Sequence, residues 1–184
     1  LPLPRTILSH GFILVDGQKI SKSLGNGIDP VEVLEKHGIN AFRYFFSKHI
    51  DTFLDADFTW EKFENAYRNE LANDYGNLVQ RLSVLCQKNT VKKQEYTPEL
   101  DTEYTELMDH FEFTSAINKA WSMIQDVNRH IEEQKPWQLA KTDSVKAKAS
   151  LSGLVKELLA ANHHLKPFLP ISETVEKIFM GSGE

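Results

Sequence analysis

Apolar residues recur at steps of three and four between residues 60 and 85: Trp60, Phe63, Tyr67, Leu71, Tyr75, Leu78, Leu82 and Leu85. That period predicts one long amphipathic helix, opened at Thr59 and running to about Lys88, with these side chains as a single buried stripe. Similar periodicity predicts helices over 99–112, 114–135, 143–165 and 171–180, with Pro98, Pro136, Pro167 and Pro170 at the breaks. Residues 1–58 have a different texture. Residues 6–15 read as a strand, and Asp16-Gly17 is a tight-turn signal before the polar stretch 18–26. Asp29 before Pro30 marks a helix start, with a short helix over 30–36 ending at His37-Gly38. Asn40 is the expected cap of a second helix over 41–48, with Phe42, Phe45, Phe46 and His49 at helical spacing. The expected fold is mainly α: an antiparallel bundle of about five helices over 59–184, preceded by a short α/β segment over 1–58.

Composition narrows the class. The chain has 184 residues, 41% of them apolar and 26% charged, which suits a globular protein with a real core. Its apolar runs are short and interrupted by charge, so neither a membrane span nor a membrane partner is expected. One cysteine, Cys86, forbids an intrachain disulfide and any cysteine-rich zinc site. The paired His163 and His164 lack a third ligand at suitable spacing, so no metal site is assigned. The net charge of −5 argues mildly against whole-surface nucleic-acid binding, DNA included, yet leaves local basic patches open. Residues 135–148 are one such segment, with Lys135, Lys141, Lys146 and Lys148 against Asp143 alone. By charge alone the plainer reading is a solvated helix face. The first residues, LPLPRTIL, lack the layout of a signal peptide and suggest a piece cut from a longer protein.

The candidate chemistry lies in the polar stretch. Lys19 and Lys22 sit three apart, interleaved with Ser21 and Ser23, after a strand and a glycine turn. A loop of this kind can reach a polyphosphate and neutralise charge that develops on a leaving pyrophosphate. It lacks the glycine pattern of a Walker loop. A solvated surface loop reads equally well from these residues alone.

A second cluster of interest lies on the helices. Asn73, Asn77 and Arg81 recur every four residues, on a face roughly 100° from the Leu78 stripe. Amide and guanidinium groups one turn apart can read the edges of unpaired bases, although a plain solvated face has the same look. Trp137, just after Pro136 and among polar neighbours, is a candidate stacking platform or a helix-junction packer. Trp121 shares helical spacing with Ile117, Ile124 and Val127 and reads as core, while Trp60 reads as junction packing.

The stretch 10–30, HGFILVDGQKISKSLGNGIDP, resembles the signature lysine loop of class I aminoacyl-tRNA synthetases, with Ile20 where methionine is common. Four more runs resemble the methionyl-tRNA synthetase family: 38–46 (GINAFRYFF), 55–63 (DADFTWEKF), 69–81 (NELANDYGNLVQR) and 166–170 (KPFLP). Synthetases for isoleucine, valine, leucine and cysteine share the loop but not the 69–81 run. The resemblance implies an ATP-dependent ligase that joins methionine to its tRNA through methionyl-adenylate, with ATP and Mg²⁺, in the cytoplasm. By it, Lys19 and Lys22 are catalytic and contact ATP together with Ser21 and Ser23. Asn77, Arg81 and Trp137 contact the anticodon of methionine tRNA. Residues 1–58 become the end of the catalytic Rossmann domain, and 59–184 the helical anticodon-binding domain. The family's other ATP motif and its methionine pocket precede this loop, so the isolated piece is expected to be inactive and to hold no cofactor. A tRNA-binding module without catalysis is the competing reading. The intact loop argues against it, because a pure binder has no use for one.

Overall fold

The computed structural model describes residues 3–4, 6–21, 23, 25–97 and 99–181. A small sheet comes first. Strand β1 (Ile13–Val15) turns through Asp16 and Gly17, both at positive φ (50° and 72°), into β2 (Gln18–Lys19). Two positive φ angles in succession make the tight hairpin turn that aspartate and glycine favour. The strand expected over 6–15 is therefore short, and the polar stretch contributes its first two residues to the hairpin. Strand β3 (Ala56–Phe58) lies parallel to β1, with Ile13 opposite Ala56 and Val15 opposite Phe58, and the sheet order is β2-β1-β3.

Helix α1 (Pro30–Lys48) links the hairpin to β3. Asp29 caps it by accepting from the Val31 amide, and Pro30 occupies its first turn. It breaks at Gly38 (φ 78°, ψ 166°), a conformation open to glycine, so the expected division at residue 38 is present. Asn40 does not act as the expected cap. Its side chain accepts from the Ile171 amide instead, 2.9 Å away.

The long helix over 60–88 forms, capped by Thr59, but it is not uniform. Helix α2 (Trp60–Asn65) passes into an eleven-residue π segment (Ala66–Gly76), which passes into α3 (Asn77–Lys88). The predicted stripe is broken accordingly. Phe63, Tyr75, Leu78 and Leu82 are buried, whereas Trp60 and Tyr67 are 40% and 38% exposed. Trp60 still packs at the junction, against the rings of Phe58 and Phe63.

Helices α4 (Thr102–Asp109), α5 (Phe113–Gln134), α6 (Pro136–Thr142), α7 (Ser144–Leu165) and α8 (Ser172–Phe179) complete the chain. Helix α6 was not anticipated. Pro136 ends nothing by itself: Lys135 turns left-handed (φ 44°, ψ 58°), and the proline starts a new helix at its first position, where its missing N–H costs nothing. Asp143 then caps α7 through the Val145 and Lys146 amides. Helices α5 and α7 pack most extensively against each other. Their apolar faces, including Trp121 at 3% exposure as expected of a core residue, form one contiguous core with α1, β3 and the long helix. The architecture is mostly helical with one small three-stranded sheet.

Candidate functional site

The lysine loop leaves β2 and returns at α1. Asn26 clips it shut. Its amide donates to the Lys19 carbonyl at 3.2 Å, and its oxygen accepts from the Ser21 amide at 2.9 Å. The Ser21 and Ser23 hydroxyls lie 2.8 Å apart, and the Gly25 amide donates to the Ser21 carbonyl. Both serines thus take part in shaping the loop. Lys19 places its ammonium 4.5 Å from the centre of the Phe12 ring. Lys22 lies outside the described residues. Asn26 is the functional candidate that spacing alone did not single out.

Asn77, Arg81 and Trp137 come together. With Gln80, Val84 and Leu85 they line an open pocket of about 430 Å³ where α3 meets the start of α6. The Arg81 guanidinium lies 4.6 Å from the centre of the Trp137 ring and forms an ion pair with Glu132 near the end of α5. Trp137 is half-buried and rests on the hydrophobic core, with the rest of its ring open to the pocket. Asn73 is exposed but does not line this pocket. Glu132 is a member that no local pattern pairs with residue 81, since they stand 51 positions apart.

The run 38–46 meets two of the other family-like runs. Arg43 donates to the Pro167 carbonyl, and Asn40 accepts from the Ile171 amide, which ties α1 to the 166–170 segment. Tyr44 and Lys48 both donate to the Glu70 carboxylate, and His49 approaches it at 3.3 Å. Burial by itself raises the Glu70 carboxyl, but the hydrogen bonds from His49, Lys48 and Tyr44 and the Lys48 charge outweigh it and hold it at about 2. Burial, and then the bond to Glu70, push the Tyr44 hydroxyl far above its ordinary value.

A depressed carboxyl stabilises the fold above the unfolded value, near 4.5, and that stabilisation disappears as pH falls toward 2. Urea unfolding across this window should therefore lose up to about 3 kcal/mol that a Glu70→Gln variant never had. Parallel pH profiles for the two proteins would contradict the assignment.

Among the described residues, no group of three or more His, Cys, Asp or Glu side chains is placed to hold a metal ion. Among the described residues, no helix is long and apolar enough to cross a membrane.

Comparison with known proteins gives one answer. The sequence model for class I tRNA synthetases (M) matches residues 1–83. The methionine–tRNA ligase of Thermotoga maritima is 37% identical over 77% of this chain, and that of Caldanaerobacter subterraneus 31% identical over 97%. The chain spans only 25% and 30% of the lengths of these relatives. Among solved structures, Mycobacterium tuberculosis methionyl-tRNA synthetase bound by methionyl-adenylate superposes with a TM-score of 0.82 at 26% identity, covering 97% of this chain and 38% of that one. A second structure of that protein, in complex with methionyl-adenylate, gives 0.77 at 28% identity. A chain that keeps 31% identity to a methionine–tRNA ligase along nearly its whole length, and shares its backbone with a solved methionyl-tRNA synthetase, belongs to the methionyl-tRNA synthetase family of class I tRNA synthetases.

Proposed function

We propose that this chain is the part of a methionine–tRNA ligase that carries the ATP-loop lysines and reads the anticodon of methionine tRNA. In this reading residues 1–58 end the catalytic domain and residues 59–184 form the anticodon-binding bundle. The convergence of Asn77, Arg81 and Trp137 on one open pocket carries the RNA half of it. An amide, a guanidinium and an indole side by side offer two kinds of edge donor and a π-face, which is what unpaired bases require. Arg81 covers one face of Trp137, so an incoming base either displaces the guanidinium or stacks beyond it.

The loop supports the catalytic half. When the methionine carboxylate attacks the α-phosphate of ATP, negative charge grows on the departing pyrophosphate. Lys19 and Lys22 supply positive charge that binds this state more strongly than the ground state. Asn26, Ser21 and Ser23 hold the loop backbone, so less ordering is left to the moment of reaction. Mg²⁺ travels on the ATP phosphates, as suits an ion that keeps most of its waters and needs few protein ligands. The reading puts the chain in the cytoplasm with the rest of translation.

The test is binding of the chain to the anticodon stem-loop of methionine tRNA and to the same hairpin with an altered anticodon. Asn77→Ala should chiefly erode the preference between the two. Arg81→Ala should weaken binding to both and flatten the salt dependence if it meets phosphate, or relax base preference if it meets an edge. Wild-type behaviour in both variants would remove the face from consideration.

A further inference from the structure

We propose that Glu70 is a positioning residue for the base-reading face, acting through the π segment; this rests on the function proposed above for Asn77, Arg81 and Trp137. The starting observation is the segment itself. Residues 66–76 form a π helix, with hydrogen bonds from i to i+5, inside a helix that is α on both sides. Its inward-facing positions step by four and five: Ala66, then Glu70 and Leu71, then Asp74 and Tyr75. The α period expected Tyr67 and Leu71 there, and Tyr67 lies outside.

A π turn holds almost one residue more than the 3.6 of an α turn, so over eleven residues the phase lags by about half a revolution. The azimuth of α3 relative to α2 is set by that lag. At that phase Leu78 and Leu82 on α3 face the core, while Asn77 and Arg81 face Trp137. Losing one π turn would rotate α3 by roughly 80–100° and carry Arg81 off the indole.

The i to i+5 ladder is the rarer one, so something outside the helix has to hold it. Among the described residues, the segment is hydrogen-bonded to elements outside the long helix at three places. The Asp74 carbonyl accepts from Asn128 on α5 at 3.1 Å, and the Tyr75 hydroxyl donates to Asn162 on α7 at 2.6 Å. Those two hold its last turn. In the earlier part, the hydrogen bonds to another element are those of Glu70 with Tyr44, Lys48 and His49 on α1, beside a ring contact of Tyr67 with His37. The far side of that clamp is packed in. The Lys48 side chain is 11% exposed, and its ammonium lies 4.6 Å from the centre of the Trp121 ring and 5.3 Å from that of Tyr44. Glu70 therefore fixes the phase at which the helix leaves α1, and α3 inherits it.

The experiment uses the full chain labelled with 5-fluorotryptophan, whose Trp137 fluorine signal is assigned by a Trp137→Phe variant. Glu70→Ala should move that signal toward its position in Arg81→Ala, because the guanidinium leaves the ring. Affinity for the methionine anticodon stem-loop should fall by about tenfold, with helical circular dichroism retained. Glu70→Gln, which still accepts from Tyr44 but has no charge for Lys48, should fall between. It also serves as the readout if Glu70→Ala does not fold. Lys48→Met combined with Glu70→Ala should lose no more affinity than Glu70→Ala alone, because both break one clamp. An unmoved Trp137 signal in the Glu70 variants overturns the positioning role. So does wild-type RNA affinity in Glu70→Ala when Arg81→Ala is impaired. A moved signal with Arg81→Ala binding RNA normally supports the clamp and instead removes the anticodon reading.

Discussion

In the complete ligase, Lys22→Ala should slow methionyl-adenylate formation by about 10²–10³ while leaving affinity for methionine tRNA nearly unchanged. The reason is where the charge is needed. On the proposed reading the lysine acts on pyrophosphate charge that is greatest in the transition state, so its loss should lower kcat and kcat/KM together rather than raise the KM for ATP. Single-turnover adenylation, with rapid quenching and counting of labelled adenylate, measures the step directly. A rate within a factor of two of wild type rules the role out. Asn26→Ala tests the support of the same loop. Without the amide that bridges the Lys19 carbonyl and the Ser21 amide, the loop must be ordered during the reaction. A loss of about tenfold in the same assay, again with tRNA binding intact, is the expected outcome.

Trp137→Ala should weaken binding of the methionine anticodon stem-loop by about 1–3 kcal/mol, which is roughly a 5- to 150-fold rise in Kd. Trp137→Phe should keep much of the affinity, because a smaller ring still stacks. The half-buried placement of the indole makes the control essential. One part of the ring rests on the core, and Arg81 lies over its face. Truncation therefore also loses packing, and melting temperature should fall in both variants. What separates stacking from packing is affinity measured well below the melting transition. If Trp137→Ala melts earlier yet binds the hairpin like wild type at low temperature, the indole is a structural residue and the stacking role is lost.

The local devices of this fold are written in the chain. Asp29, Thr59 and Asp143 cap the helices they precede, since capping needs only an oxygen within three residues of an amide. Gly38 divides α1 where it was expected to, because no other residue takes that backbone angle so readily. The lysine loop and the one-turn spacing of Asn77 and Arg81 are equally local, and so were visible in the sequence. What lay beyond it depends on partners distant along the chain. Helix α6 is the exception, because it hangs on a left-handed backbone angle at Lys135 that a lysine does not announce. Arg81 finds Glu132 and Trp137 across more than fifty residues. The π segment is the plainest case. Apolar spacing over 60–85 suits an uninterrupted α-helix, and read alone it puts Tyr67 inside and Glu70 outside. The tertiary structure reverses them, because Tyr44, Lys48 and His49 on α1 bind the Glu70 carboxylate, and Asn128 and Asn162 hold the segment's last turn. Helical periodicity is a short-range preference of a fraction of a kcal/mol per residue, and several buried polar contacts made at once from other elements outweigh it.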